Sequence, residues 1–185
     1  MAGGTALALQ AGHRKSLDLD FFTESAHFDE KGLIDRFRNN GDWSLNFERK
    51  DTVYGALFKA KISFIAYPFF VPKQKPHWHG TIQVLDSTDI AAMKIIAISQ
   101  RGRKRDFFDL YWCAKNLEPL ENTIKRLKIQ YPSVAHDYHH ILKSLVYFED
   151  AEKDPNPEIR FDADWKKVKS FFIKELPIII DRIMR

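Results

Sequence analysis

The sequence predicts an α+β fold: a small mixed sheet with flanking helices over residues 1–86, followed by a helical region over 87–185 that completes the active site. Three observations carry this. Residues 16–22 alternate apolar and polar. Three further β-rich segments crowd between Trp43 and Tyr67. From Ser87 onward the period becomes helical. Strands that come first and helices that follow argue against a regularly alternating doubly wound sheet.

Gly3 to Gly12 is expected to be a short helix, capped by Thr5, propagated by Ala6-Leu7-Ala8-Leu9 and stopped by Gly12. Ser16 to Phe22 is a half-buried strand, with Leu17, Leu19 and Phe21 on one face and Ser16, Asp18 and Asp20 on the other. Asp29 to Asn39 is a helix ended by Asn39-Asn40-Gly41. Strands are predicted with Trp43, Leu45 and Phe47 on one face, then over Thr52–Ala60 and Lys61–Tyr67, the latter stopped by Pro68. Pro72–Pro76 and His77-Trp78-His79 are expected in loops, and Gly80–Leu85 in a further strand. Helices follow over Thr88–Gln100, Asp106–Asn116, Leu120–Gln130, Ala135–Phe148 and Ala163–Met184. Asp154-Pro155-Asn156-Pro157 links the last two, and Pro177 should kink the final one.

Hydrophobic residues make up 44% of the 185, ample for a core, and the net charge of +4 suits a polyanionic partner such as a nucleotide or RNA. A lone cysteine, Cys113, excludes an internal disulfide and fits a cytoplasmic setting. No leader pattern precedes the first motif, and no apolar run approaches the ~20 residues of a membrane span.

The chemistry centres on Asp18-Leu19-Asp20. Residues i and i+2 of a strand face the same way, about 6.5–7 Å apart. Two carboxylates so placed repel, and a divalent cation relieves the conflict. Mg²⁺, or Mn²⁺ in its place, takes hard oxygen ligands and shares them with substrate phosphates. Gly3-Gly4-Thr5 opens the preceding helix, where backbone N–H groups can approach phosphate oxygens. His13, Arg14 and Lys15 lie just ahead of the acidic strand. Lys94 and Arg101 share a helix face, seven residues apart. Arg101-Gly102-Arg103-Lys104-Arg105 forms a basic turn, and Asp106 and Asp109 open the next helix. Phosphate or RNA backbone is the natural partner of Lys94, Arg101 and Arg105.

The segments Gly3-Gly4-Thr5-Ala6-Leu7-Ala8-Leu9 and Arg14-Lys15-Ser16-Leu17-Asp18-Leu19-Asp20-Phe21 resemble the first motif of the AbiEii/AbiGii toxin family. Met93-Lys94-Ile95-Ile96-Ala97, Arg101 and Arg105-Asp106-Phe107-Phe108-Asp109-Leu110-Tyr111 are similar to its later lysine–aspartate motif. The resemblance implies a nucleotidyltransferase fold of the polymerase-beta-like superfamily and a toxin of toxin–antitoxin and phage-defence systems. By it, Gly4 and Thr5 form the phosphate-binding turn, Asp18 and Asp20 hold metal, Ser16 neighbours the nucleotide and Lys94 contacts phosphate. Asp109 is then an essential carboxylate that orients either Lys94 or the acceptor hydroxyl. The reaction implied is transfer of a nucleoside monophosphate from an NTP to RNA or tRNA, with a cognate antitoxin as a further partner. Two departures accompany the likeness. Ser63 stands where many relatives place a third metal carboxylate, and relatives carry helices and a strand ahead of the glycine turn.

Two other functions are weighed. A metal-dependent glycosyltransferase also uses Asp-x-Asp, but gives Lys94 and Asp109 no role. A degenerate transferase that only binds RNA or an antitoxin fits Ser63. His77 and His79, and His136, His139 and His140, are read as packing or surface residues rather than metal ligands. Phe107, Phe108, Tyr111 and Trp112 are assigned to the core, and Lys166, Lys167 and Lys169 to a solvated helix face.

Overall fold

The computed structural model describes residues 1–39 and 41–183. Asn40 in the expected helix stop, and Met184 at the expected end of the last helix, lie outside the described residues. The chain orders as α1 (Gly3–Ala11), β1 (Leu19–Thr23), α2 (Glu30–Arg38), β2 (Trp43–Arg49), β3 (Thr52–Leu57), β4 (Ala60–Ala66), β5 (His77–His79) and β6 (Ile82–Val84). The helices α3 (Ser87–Arg101), α4 (Lys104–Asn116), α5 (Leu120–Gln130), α6 (Tyr138–Ser144), α7 (Glu149–Glu152) and α8 (Trp165–Ile183) follow. This is the α+β order the sequence predicts.

The main sheet has strand order β1-β4-β3-β2. β1 runs parallel to β4 with Asp20 opposite Ser63, and the β4/β3 and β3/β2 pairs are antiparallel. One cross-strand row therefore reads Asp20, Ser63, Tyr54, Phe47. On the other face α2 supplies Phe37, whose ring stacks on Trp43 at 4.8 Å and lies 5.7 Å from Phe64. Trp43 lies over Gly55, where any Cβ would collide with the indole.

The core is centred on the helices. Leu7 of α1, Ile90 and Ile95 of α3, Phe107 and Leu110 of α4, Ile124 and Leu127 of α5 and Phe172 of α8 are all fully buried in one cluster. Burying each such side chain is worth roughly 1.5–3 kcal/mol. α1 packs on α3, α4 and β1, so the first helix belongs to the same core as the helices that follow the sheet. Its Gly12 closes it in the left-handed conformation, φ 62°.

Several local expectations change. Ser16, Leu17 and Asp18 precede β1 instead of belonging to it, and Leu17 is 66% exposed. The segment is held by side chains and not by a ladder: Thr5 donates its hydroxyl to the Asp18 carbonyl and lies 2.9 Å from Ser16 Oγ. Thr5 is therefore an interior α1 residue, and the N-cap is Ala2. The predicted strand over Thr52–Ala60 divides at a two-residue turn, Phe58-Lys59, with φ of 49° and 68°. That is the mirror-image turn geometry a tight hairpin needs, adopted here without glycine. His77-Trp78-His79 is a short strand paired with β6, not a loop. The predicted helix over Ala135–Phe148 shortens to α6, capped by the Asp137 carboxylate on the His140 amide. The basic turn is only Gly102-Arg103, because Arg101 ends α3 and Lys104 and Arg105 begin α4. α8 runs through Pro177. Among the described residues no helix is long and apolar enough to cross a membrane.

Candidate active site

A cleft of about 470 Å³ opens between the sheet and the helices α1, α3 and α4. Gly3, Gly4, Arg14, Ser16, Asp18, Asp20, Lys94, Arg101 and Arg105 all line it. The structure thus brings together nearly every residue singled out in the sequence. Thr5 and Asp109 do not line it; both sit beneath its walls and hold other site residues in place.

The glycines are required by proximity. Gly3 has φ +76°, and a Cβ there would lie 2.5 Å from Asp20 Oδ2. A Cβ on Gly4 would overlap the Arg14 guanidinium and approach Ser16 Oγ to 3.4 Å. The first turn of α1 can press against an acid and an arginine only because neither residue has a side chain.

The two carboxylates reach the cleft differently. Asp20 leaves β1 and accepts a 2.7 Å hydrogen bond from the Ser63 hydroxyl through Oδ1. Asp18 accepts a 3.1 Å bond from Arg105 through Oδ2. Asp18 Oδ1 and Asp20 Oδ2 have no hydrogen-bond partner among the described residues. Ser63, directly opposite Asp20, supplies a hydroxyl where a carboxylate would make a third anionic ligand. Among the described residues no three His, Cys, Asp or Glu side chains group around one point.

Beneath the helical wall lies a buried ionic network. Asp109, fully buried, takes Arg14 in a forked pair, Nε to Oδ1 at 2.6 Å and Nη2 to Oδ2 at 2.9 Å. His13 Nε2 is 2.7 Å from Oδ1, and Lys94 Nζ is 2.6 Å from Oδ2. Since an ionised carboxylate only accepts, His13 carries its proton on Nε2. Lys94 also donates to Asp106 Oδ1 at 2.6 Å, and Arg101 Nε lies 3.5 Å from Asp106 Oδ2.

Burial alone would raise the Asp109 pKa. Lys94, Arg14 and His13 outweigh it and hold the carboxyl well below the usual range. Burial would likewise lower the Lys94 and Arg14 values. The charges of Asp106 and Asp109 outweigh it at Lys94, and Asp109 does so foremost at Arg14, so both are raised. These groups stay ionised across the neutral range. Asp109, with both oxygens engaged and no exposure, orients Lys94 and Arg14; an acceptor hydroxyl has no approach to it.

Sequence reasoning missed or underweighted several participants. His13, which lies with Arg14 and Lys15 just ahead of the acidic strand, is buried against Trp112, ring centroids 5.3 Å apart. Asp106 was read as a helix-start acid, and it is the second carboxylate on Lys94. Asn46, Phe47, Tyr54 and Lys61 of the sheet line the cleft without any motif to mark them. Cleft cations outnumber carboxylates, five (Arg14, Lys61, Lys94, Arg101, Arg105) to three (Asp18, Asp20, Asp106), which suits a polyphosphate.

Three of the discounted histidines have local contacts. His77 Nε2 lies 2.9 Å from Asp86 Oδ2, His140 Nε2 lies 3.0 Å from the Ser99 carbonyl, and His136 stacks edge-on against Tyr131.

A mixed sheet presenting two carboxylates beside a glycine-led helix and a cationic wall frames this cleft. Residues 51–182 match the family described as nucleotidyl transferase AbiEii toxin, type IV toxin–antitoxin system, and the chain belongs to that family. The match contains Lys94, Arg101, Arg105, Asp106 and Asp109, and the glycine turn and acidic pair lie ahead of it. The chain is also 36% identical over 183 residues to an uncharacterized protein of Aquifex aeolicus, covering 95% of this chain and 85% of that one.

Proposed function

We propose that this protein transfers a nucleoside monophosphate from an NTP to an acceptor hydroxyl, with the 3′ end of an RNA, tRNA included, as the acceptor. The observation that carries the reading is the convergence of Asp18, Asp20, the Gly3-Gly4 turn and the Arg14, Lys94, Arg101 and Arg105 cations on one cleft. A cognate antitoxin is the regulatory partner that the family description implies.

The donor set fits a hard divalent cation. Asp18 and Asp20 would hold Mg²⁺, or Mn²⁺ in its place, through Asp18 Oδ1 and Asp20 Oδ2, which have no partner among the described residues. Bound there, the ion would supply charge neutralisation at the phosphoryl group being transferred. The chain's own residues do the rest. Ser63 fixes the Asp20 carboxylate, and Thr5 fixes the backbone of Asp18. Arg14 is locked by its fork to Asp109, so its position is set before substrate arrives. Lys94 commits two of its three N–H donors to Asp106 and Asp109, leaving one for a phosphate oxygen. Arg101 and Arg105, both half-exposed, add charge that can move with the leaving pyrophosphate.

Labelled NTP incorporation into RNA tests the reading. Wild type should incorporate label only with Mg²⁺ or Mn²⁺ present. Asp18→Ala and Asp20→Asn should each lower turnover by about 10² or more, since one lost electrostatic ligand typically costs that much. Equal incorporation by wild type and both variants would refute it.

Ser63 supports a second reading, a non-catalytic protein that binds RNA or antitoxin, because the third anionic ligand is missing. Thermal unfolding separates the two. A Mg²⁺-dependent rise in melting temperature with ATP, CTP, GTP or UTP favours transfer. No rise with any of them, while RNA still binds, favours the second reading.

A further inference from the structure

We infer that the sheet wall of the cleft is a stacking platform for the unpaired terminal base of the acceptor RNA, formed by Phe47 and Tyr54. The inference rests on the transfer reading above and names the residues that hold its second substrate.

Four observations carry it. Phe47 and Tyr54 continue the cross-strand row that begins at Asp20 and Ser63. At about 4.8 Å per strand, Tyr54 lies roughly 10 Å from Asp20 and Phe47 roughly 14 Å. That is a span comparable with a nucleoside measured from its sugar hydroxyl to the far edge of its base. Second, the two rings stack on each other at 5.7 Å and 26°, yet remain 45% and 39% exposed, so no core covers them. Third, the edge strand is bent to build this wall. The β2/β3 register slips between Leu45 and Phe47, leaving Asn46 as the extra residue of a bulge. Neighbours on a regular strand face opposite ways, whereas Asn46 and Phe47 both line the cleft. An amide therefore stands beside the rings, able to donate to or accept from a base edge. Fourth, Lys61 of β4, on the Ser63 face, adds an exposed cation within reach of a backbone phosphate.

In-line transfer decides which base occupies the platform. The leaving pyrophosphate must lie toward the cations of α3 and α4 and the Gly3-Gly4 turn. The attacking hydroxyl then enters from the opposite side of Asp20, which is the side of β4, β3 and β2. Aromatic stacking accepts any base, because every base has a π face. The platform thus selects an unpaired end and not a sequence.

The test uses the full chain and two fluorescein-labelled RNA hairpins of the same stem, one with an unpaired 3′ end and one blunt. Anisotropy without NTP gives Kd, and steady-state incorporation gives KM for RNA and for NTP. Phe47→Ala and Tyr54→Ala should each weaken binding of the unpaired hairpin about ten-fold and raise its KM in step. Tyr54→Phe should bind as wild type, and the KM for NTP should not move in any of the three. Circular dichroism of each variant checks that it folds. Wild-type affinity of folded Ala variants for the unpaired hairpin would overturn the inference, as would equal losses on the blunt hairpin. So would a raised NTP KM with unchanged RNA binding, which would place the incoming base on the rings. Ring-dependent binding by a protein that incorporates no nucleotide would sink the transfer reading and leave the platform standing. Incorporation whose RNA KM ignores both rings would do the reverse.

Discussion

On the helical wall of the cleft, Arg14, Lys94, Asp106 and Asp109 are buried and bonded mainly to one another. On the sheet wall, the Phe47 and Tyr54 rings stack on each other and keep much of their surface in water. The first wall spends its interactions within the protein, so its charges are positioned before any ligand binds. The second keeps its interactions available. On the proposed reading, the first wall would grip an invariant triphosphate and the second would accept different nucleic acid ends. The contrast also separates the two properties a mutation can damage: stability at the buried network, and ligand binding at the exposed side chains that face the cleft.

The largest effect should come from Asp109→Asn. It leaves Arg14 and Lys94 buried without their shared anion, and losing one partner of a buried pair typically costs about 3–5 kcal/mol. Urea unfolding should show a loss of that order, and turnover should fall as well because Lys94 and Arg14 lose their anchor. A loss under about 1 kcal/mol would mean the network is not what holds this wall. Gly4→Ala should come next, because the new methyl must displace the Arg14 guanidinium from its fork. We expect turnover to fall at least ten-fold with a stability loss of about 1–3 kcal/mol, the range for overpacking. Wild-type activity would show that the Arg14 position is not critical.

The same network sets a pH signature. The folded pKa of Asp109 lies below its unfolded value of about 3.9. Its stabilisation is therefore complete above that value and is lost as pH falls toward the folded one. Lys94 has a folded pKa above its unfolded value of about 10.4, so its contribution is complete below that pH and fades as pH rises through the folded value. The urea-midpoint gap between wild type and Asp109→Asn should be constant from pH 5 to pH 8 and narrow below pH 4. A gap that changes through the neutral range would assign the stabilisation to another group.

How much of this was legible in the sequence follows from how local each signal is. The α+β order, the glycine turn, Asp18 and Asp20, and the Lys94–Asp109 segment could be read because each depends on neighbours within about fifteen residues. The Phe58-Lys59 turn was invisible because its positive φ values are imposed by the β3/β4 hairpin on residues that do not favour them. The β2 bulge was invisible for a related reason. Trp43, Leu45 and Phe47 alternate cleanly on paper, and only the partner strand shows that Phe47 turns toward Tyr54 while Trp43 covers Gly55. His13 and Asp106 became site-supporting residues through contacts across 96 and 12 positions, which no spacing rule anticipates.

The smallest stability effect should come from Arg105→Gln. Arg105 meets Asp18 at 3.1 Å, but both side chains are substantially solvated, 48% and 34% exposed. Exposed pairs of this kind contribute under about 1 kcal/mol and weaken with salt. Thermal unfolding of the variant should therefore overlay wild type closely. Its kinetics should not, because Arg105 faces the cleft where phosphate charge would accumulate. We expect a several-fold rise in KM for NTP at low ionic strength, shrinking as salt rises toward 0.5 M, where screening removes the advantage of the charge in wild type as well. A variant that is destabilised by several kcal/mol, or whose KM defect is indifferent to salt, would move Arg105 from the exposed, ligand-facing set of charges to the buried, self-satisfied one, and the division between the two sets would have to be redrawn around it.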